Sequence, residues 1–290
     1  MKLLIKFNLI YLLVMALGVA VSGWISRSFL QDQAVQEVLN GARLTMEQAL
    51  AVRTYTSTQI TPLLAPHMGS EFLPQSVPSY SATEVLGKLK ANYPEFGYKE
   101  ATLNPTNPRD RAVGWEVDIV NAFRNDAELK EFTGQRDTPT GPSLYVARPL
   151  RITDGACLRC HSSVEAAPRS MVAKYGPANG FGWQMGEVIG AQVVSVPMAL
   201  PLQRADTSFR LFVGSLIGVF AVLAVVLNVM IWWVVVRPVT RLSALADRVS
   251  QGELDAPDFD TGSHDEIGTL AASFARMRTS VVQAMKMLEN

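Results

Sequence analysis

The chain has 290 residues, of which 26 are basic and 26 acidic, so its formal net charge is zero. Charged residues make up 18% and apolar residues 48%, which excludes an intrinsically disordered chain. The charge balance also argues against a nucleic-acid-binding protein, because such proteins need a basic face to displace counterions. A positive mean hydropathy of +0.15 instead indicates membrane-spanning segments. With two cysteines, the chain cannot be a disulfide-stapled scaffold.

Two uncharged apolar segments are long enough to cross a bilayer as helices. The first covers residues 7–25, and the second covers residues 211–236 and ends near Trp232 and Trp233, which favour the membrane interface. A cleaved signal peptide remains an alternative for the first segment, because its basic start and small residues also fit that class. The helical pattern that follows directly favours a retained span.

The basic residues next to these segments predict the topology. Lys2 and Lys6 precede the first span and Arg237 and Arg241 follow the second, so the positive-inside rule places both ends in the cytoplasm. We therefore expect a two-pass protein of the inner membrane whose long middle segment is periplasmic. This layout favours a receptor over a domain that is merely tethered twice. The expected domains are a cytoplasmic N-terminus (1–6), transmembrane helix 1 (7–25), a periplasmic domain (26–209), transmembrane helix 2 (211–236) and a cytoplasmic domain (237–290).

The middle segment contains both helical and strand patterns. Apolar residues at spacings of three and four predict a helix over 33–64, and further helices are expected at 82–91 and 115–125. Residues 118–120 are ambiguous with strand. The segments 143–150 and 187–197 read as strands because they are rich in apolar and β-branched residues. The class expected is α+β, an antiparallel sheet with flanking helices.

Both cysteines lie in one motif, Cys157-Leu158-Arg159-Cys160-His161. This C-x-x-C-H pattern indicates covalent attachment of haem c. Two thiols at this spacing can add to the two vinyl groups of one macrocycle, and His161 then lies beneath the iron as an axial ligand. The predicted periplasmic location agrees, since c-type haem is attached outside the cytoplasm.

Three other interpretations of the cysteine pair stay open. A thioredoxin-like redox pair would need a strand-to-helix context that the flanking residues lack. A structural zinc site needs about four ligands, so it would require another residue such as His67. A simple disulfide is also compatible with an oxidising compartment.

Further stretches around the motif carry a resemblance that covers about residues 44–198. They are Arg53-Thr54-Tyr55, Val77 to Tyr80, Tyr98 to Asp110, Gly114-Trp115-Glu116, Ala147-Arg148-Pro149, Cys157 to His161, Tyr175-Gly176 and Gly180 to Trp183. Together these residues resemble a known family of extracytoplasmic c-type-haem domains with a PAS-like fold, long catalogued as a domain of unknown function. The resemblance implies a haem-sensing or redox domain, in some relatives fused to a HAMP domain. In at least one relative it implies a cysteine as second axial ligand, but this chain has no spare cysteine.

The second axial position decides what such a haem would sense. His67 or a methionine would fill it and favour redox sensing, whereas water or an open site would favour binding of NO, CO or O2. Arg53 and Arg148 are candidate partners of the haem propionates, because guanidinium groups pair bidentately with carboxylates. Either arginine could instead be a solvated surface residue. The methionines considered are Met46, Met68, Met171, Met185 and Met198, and the aromatic residues that could wall the macrocycle are Trp115, Tyr145, Tyr175, Phe181 and Trp183.

The segment after the second span predicts a helix, a connector and a second helix. Residues 238–250 are amphipathic, the connector around Pro257 contains two glycines, and the second helix starts near Asp265-Glu266. Together with Phe274-Ala275-Arg276-Met277, these features resemble the HAMP domain, which implies a homodimeric four-helix bundle that relays a signal. An ordinary coiled coil is the alternative. The predicted heptad seam consists of Ile267, Leu270, Phe274, Met277, Val281, Ala284 and Leu288.

No arrangement of nucleophile, histidine and acid is evident, so we expect no enzyme activity in this chain. The predicted function is a membrane-bound haem sensor that acts on a separate cytoplasmic kinase or chemoreceptor-type protein, unless the chain is a fragment of a longer receptor. Two alternatives are a membrane-anchored c-type cytochrome for electron transfer and an oxidoreductase acting at an open haem iron. Deleting the cytoplasmic tail separates sensor from cytochrome, because electron transfer survives that deletion and signalling does not.

Overall fold

The structure is a computed structural model that describes residues 3–139, 141–253 and 264–288. The chain divides into two compact units. One unit is Ser26–Ser208, and the other combines Met1–Ile25 with Phe209–Asn290. The connector predicted around Pro257 lies outside the described residues.

A four-stranded antiparallel sheet forms the centre of the Ser26–Ser208 unit, in the order β1-β4-β3-β2. The two strands predicted at 143–150 and 187–197 are its central strands, and β4 is buried along most of its length, as its apolar composition requires. The antiparallel sheet with flanking helices confirms the predicted α+β class. The strands are β1 (Gly97–Thr102), β2 (Phe132–Thr138), β3 (Gly141–Arg151) and β4 (Val188–Pro197).

The long first helix α1 (Leu3–Tyr55) ends in a π-helical turn over Thr56–Ile60, and α2 (Thr61–Leu64) follows directly. Pro62 explains the interruption, since a proline in the first turn of α2 lacks the amide that a continuous α-helix would use for its backbone ladder. The helix predicted over 33–64 is therefore present, but it is not regular to its end.

Four shorter helices complete the unit. Helix α3 begins at Pro78, four residues before the predicted start, and passes into a 3-10 turn over Lys88–Ala91. Helix α4 includes residues 118–120, so it resolves their ambiguity in favour of helix. Its first turn is stabilised by Glu116, whose carboxylate accepts from the backbone N–H of Val113 at 2.9 Å. These helices are α3 (Pro78–Gly87), α4 (Gly114–Asn125), α5 (Gly155–His161) and α6 (Arg169–Tyr175).

Helices cover both faces of the sheet. On one face, α1 buries Val38, Ala42 and Met46 against Leu144, Val146, Val194 and Val196 of β3 and β4. On the other face, α4 buries Ile119, Val120 and Phe123 against Ala101, Ala147, Ala191 and Val193. The three layers follow from strand alternation, which sends successive side chains to opposite faces.

Helix α7 begins at Ala199 in the Ser26–Ser208 unit and extends to Ile231 in the second unit. The second unit also contains a π turn over Trp232–Val236, α8 (Arg237–Ser250) and α9 (Glu266–Leu288). Both predicted spans lie in helices long and apolar enough to cross a membrane, Leu4–His67 and Ala199–Ser250. Within this unit Asn8 and Asn228 exchange side-chain hydrogen bonds of 2.8 and 2.9 Å. Such amide pairs join helices where water is absent.

Candidate functional site

The two cysteines lie one helical turn apart on α5. Asp154 caps this helix, because its carboxylate accepts from the backbone N–H of Ala156 at 2.8 Å. Cys157 and Cys160 are both half-buried and neither forms a disulfide. A three-residue spacing on a helix places both thiols on one side. The short helix thus presents two thiols and, at its last residue, His161.

A loop from later in the chain holds His161 in place, and we call the segment Gly180–Trp183 the histidine clasp. The Gly180 carbonyl oxygen lies 2.7 Å from Nδ1 of His161. Trp183 stacks on the imidazole with ring centroids 3.9 Å apart, and its backbone N–H donates to the His161 carbonyl at 3.1 Å. A carbonyl can only accept, so Nδ1 carries the proton and Nε2 keeps its lone pair.

Glycine is required at the first position of the clasp. Gly180 has φ of +86°, and a Cβ there would lie 2.0 Å from Oγ1 and 2.9 Å from Cα of Thr106. The hydroxyl of Thr106 also lies 3.5 Å from Nδ1 of His161. The glycine at position 180 therefore allows the backbone to approach His161 closely, and Thr106 packs against both residues.

Burial determines the protonation of this motif. It lowers the pKa of His161, with the Gly180 carbonyl opposing, so the imidazole is neutral near pH 7 as a metal ligand must be. Burial raises the pKa of Cys157, to which Asp154 adds and which the charge of Arg53 opposes. Burial likewise raises the pKa of Cys160. A thioredoxin-like pair needs a lowered thiol pKa, so these directions disfavour that alternative.

Arg53 reaches the site from the end of α1. Its guanidinium binds the buried carboxylate of Glu100 at 2.6 Å, and its positive charge opposes the rise in the pKa of Cys157. Glu100 also accepts from the Tyr98 hydroxyl at 2.7 Å, which in turn accepts from the Gln192 amide at 3.0 Å. The pKa of Arg53 is raised although burial alone would lower it, because Glu100 outweighs burial. A positive charge that acts on Cys157 is thus held at the end of α1 by Glu100.

Arg148 occupies a different part of the same sheet face. It binds Glu47 of α1 at 2.6 Å and Glu131 at 3.2 Å, and Glu131 also binds Arg43 at 2.9 Å. Two carboxylates already engage its guanidinium, so these contacts do not bring it together with the cysteine motif. Its role as a propionate partner stays a prediction that these contacts do not support.

The predicted sixth ligands are in varied surroundings. His67 ends a 3-10 turn just beyond α2 and is exposed. Met68, the next residue, is half-buried and packs on the apolar cluster of Phe72, Ala167 and Met171, against which Cys160 also packs. Met46 and Met198 belong to the core below α1, and Met185 is exposed. Met68 and the buried Met171 thus share the surroundings of Cys160, and the Met185 methyl would lie 3.9 Å from a Cβ at Gly155, the first residue of α5.

Several polar residues near this motif were not singled out from the sequence. Arg109 binds Glu84 of α3 at 2.5 Å and lies over the ring of Tyr80 at 4.8 Å. Burial raises the pKa of the neighbouring Asp110 to about 6, against the charge of Arg109. Tyr175 lies close enough for both residues to affect its pKa, which burial raises. The sequence could have indicated these residues, because Tyr80, Arg109 and Asp110 lie in stretches that resemble the haem family.

Side chains that could hold a metal ion on their own are not grouped together in the described ranges, 3–139, 141–253 and 264–288. No cluster of three or more His, Cys, Asp or Glu side chains suited to a metal ion is found among those residues. The aromatic residues predicted to wall a macrocycle separate into two groups. Trp183, Tyr175 and Phe181 lie near α5, whereas Trp115 of α4 packs against Tyr145 of β3.

Comparison with known proteins gives both sequence and structural relatives. Two matched proteins are the haem sensor protein HssS from two strains of Staphylococcus epidermidis, 29% and 31% identical over 97 residues. These 97 residues are 33% of this chain and 21% of each relative, so the chain spans about a fifth of the length of these curated relatives. The crystal structure of the cyanobacterial haem protein Tll0287 matches with a TM-score of 0.42 and 18% identity, covering 56% of this chain and 95% of that one.

Two family profiles match the chain. The HAMP domain profile matches residues 230–283, which include α8 and most of α9, so the predicted HAMP domain is confirmed. The Tll0287-like profile matches residues 31–197, more than half of the chain and nearly all of the unit that contains the cysteine motif. The chain therefore belongs to the Tll0287-like family, here joined to a HAMP domain.

Proposed function

We propose that this protein is a membrane-bound signal-transduction receptor that senses through haem c. The thiols of Cys157 and Cys160 would attach the haem by adding to its vinyl groups, and Nε2 of His161 would be the chain's ligand to the iron. The observation that carries the proposal is the clasp bond from His161 to the Gly180 carbonyl, which fixes the tautomer that a metal ligand needs. The names of relatives from Staphylococcus epidermidis and a cyanobacterium, a haem sensor and a haem protein, support haem as the cofactor.

The residues present fit this cofactor. Two unpaired thiols lie at the spacing that thioether attachment requires, followed directly by a neutral histidine. Arg53 supplies a guanidinium whose charge acts on Cys157 and which would pair with a propionate. When bound, haem supplies an iron that changes oxidation state or takes up a small ligand such as NO, CO or O2. The chain's own groups hold the imidazole, exclude water from its stacked face and keep it neutral.

Arg53 offers a route by which the site affects the rest of the chain. It belongs to α1, the helix that also contains the first predicted span. Its guanidinium is bound to Glu100 and its charge acts on Cys157, so a new negative charge at the cysteines would compete with Glu100 for it. A ligand or redox change can bias a receptor only through such a difference between its two states.

The HAMP region supplies the output of the proposed receptor. Leu270, Met277 and Val281 of the predicted seam are 48, 53 and 41% exposed in the single chain. An apolar stripe of this kind is buried against partner helices, which supports a homodimer. The receptor would lie in the inner membrane with its haem domain in the periplasm and its HAMP domain in the cytoplasm, where a kinase or chemoreceptor-type protein receives the signal. A cytochrome that only transfers electrons needs no HAMP domain.

The test is covalent haem attachment to the full chain, produced together with the cytochrome c maturation machinery. Haem staining after denaturing electrophoresis should follow the chain in the parent protein and in the control Arg159→Ala, which changes an exposed residue of the same motif. It should be lost in the double variant Cys157→Ala/Cys160→Ala. A colourless parent protein, or zinc in place of iron by elemental analysis, would end the proposal.

Optical spectra then separate the two modes of sensing. Spectra of the oxidised and reduced protein that CO and NO leave unchanged indicate a six-coordinate iron and redox sensing. A shift with either gas indicates ligand sensing. The variants Met68→Leu and His67→Ala examine the sixth ligand, because each removes one candidate donor.

A further inference from the structure

The face of the sheet that carries α4 is only partly covered by that helix. Strand alternation and register place Gly97, Ser195, Pro197 and Ser143 on this face, beyond the residues that α4 buries. A cavity of about 260 Å³ lies over them. Its lining consists of Lys90, Pro94, Glu95, Phe96, Gly97, Arg136, Thr138, Ser143, Ser195 and Pro197.

The cavity exists because the residues below it are small. In the register, Gly97 is opposite Ser195 and Pro197 is opposite Ser143, so no large side chain rises from the floor. On the covered half of the same face, Phe132 and Tyr145 fill the space at the edge of α4. The cavity is on the opposite side of the sheet from Arg53 and α1, and therefore separate from the cysteine motif.

The polar groups at the cavity are mainly donors. Arg136 and Lys90 contribute two positive charges and Glu95 contributes one negative charge. In the part of the chain that the structure describes, neither Arg136 nor Lys90 forms an ion pair with a carboxylate, and the Ser195 hydroxyl forms no hydrogen bond. The Ser143 hydroxyl donates to the Val196 carbonyl at 3.1 Å, so it is used by the sheet.

Arg136 is held in position by an aromatic ring and not by a carboxylate. Its guanidinium carbon lies 4.4 Å from the centre of the Trp115 ring, and Trp115 packs on Tyr145 with centroids 4.9 Å apart. A stacked guanidinium keeps its planar fork of donors available at lower entropic cost than a free side chain. A preorganised arginine, a lysine and a free hydroxyl together suit a carboxylate.

We infer that this cavity binds a small organic carboxylate through Arg136, Lys90 and Ser195. The class follows from the size, which is below that of drug-sized pockets, and from the net positive charge of the lining. The floor residues Ser195 and Pro197 end β4, directly before α7 begins at Ala199. A carboxylate bound there would be a second input to the receptor, independent of the haem.

The test uses the haem-loaded full chain in detergent micelles, with acetate, succinate and citrate as probes. Calorimetry should give a Kd between about 10 µM and 1 mM for at least one of them. Arg136→Gln and Lys90→Gln should each weaken binding at least about tenfold, whereas the exposed control Lys130→Gln should not change it. An unchanged haem spectrum in all variants shows that the fold is kept and that the proposal does not depend on the iron.

Three results would overturn the inference. The first is that none of the three carboxylates binds at about 10 mM. The second is that inorganic phosphate binds as tightly as the best carboxylate, which would mean an unselective cationic surface. The third is that a carboxylate shifts the haem spectrum while Arg136→Gln has no effect, which would place binding at the iron.

Discussion

The histidine clasp makes a sharp prediction about Gly180. In Gly180→Ala the new Cβ would meet Oγ1 of Thr106 at 2.0 Å and the backbone of the same residue at 2.9 Å, at a φ of +86°. The positive φ alone costs an L-residue about 1 kcal/mol, and overpacking of this kind adds about 2 kcal/mol. We therefore expect a loss of about 3 kcal/mol and displacement of the carbonyl that holds His161.

Gly182 is the matched control, because it has nearly the same φ of +82° and nothing within 4 Å of the position of a Cβ. Gly182→Ala should lose only the backbone share, about 1 kcal/mol. Thr106→Gly should partly rescue Gly180→Ala, since it removes the clashing side chain of residue 106 but leaves the close approach to its backbone. Thermal unfolding of the full chain in micelles measures these differences.

The haem spectrum gives a second readout that stability alone would not move. If the Gly180 carbonyl fixes the imidazole, Gly180→Ala should broaden or shift the Soret band and change the reduction potential, whereas Gly182→Ala should leave both near the parent values. Equal stability of the two alanine variants, or identical spectra, would refute the role assigned to the clasp.

Three further predictions follow from other contacts. Burial raises the pKa of Asp110 above its ordinary 3.8 to about 6, so the folded state loses stability as the pH rises from about 4 to about 6. Asp110→Asn should therefore increase the free energy of unfolding at pH 7 by at most about 3 kcal/mol and leave it unchanged near pH 3. Thermal unfolding at the two pH values measures the difference. Arg53→Met should cost about 3 kcal/mol by leaving the buried Glu100 carboxylate unpaired, and adding Glu100→Gln should recover most of it in the same unfolding assay. Asn8→Leu and Asn228→Leu should each lose about 0.6 kcal/mol, and the double variant little more than either, because they remove one shared interaction.

The central strands and the edge strands differ in how well the sequence predicts them. β3 and β4 are apolar and buried, so composition alone identifies them. β1 and β2 were missed because their sequences, GYKEAT and FTGQRDT, contain charged residues in place of an apolar alternation. Some of those charged residues make contacts with residues distant in sequence, such as the ion pair of Glu100 with Arg53. A local sequence pattern does not reveal such contacts.

Arg148 shows what strand alternation could have added. It shares a face of β3 with Leu144 and Val146, which pack under α1. A charged residue in line with core residues requires a partner on the covering helix, and Glu47 of α1 is that partner. Reasoning from the face, in addition to the residue type, favours a structural ion pair over a propionate contact.

The sequence predicts the residues of the haem-attachment motif but not the tautomer of its histidine. The spacing of Cys157, Cys160 and His161 identifies the residues that would attach haem, because thioether geometry is local. The tautomer of His161 depends on a carbonyl nineteen residues later, held by a glycine conformation and a contact with Thr106. Only the fold joins these segments, so the pattern that predicts His161 as a ligand does not predict its tautomer. The glycine at position 180 is the trace of that contact in the sequence, because no other residue fits both its φ and its distance to Thr106 without strain.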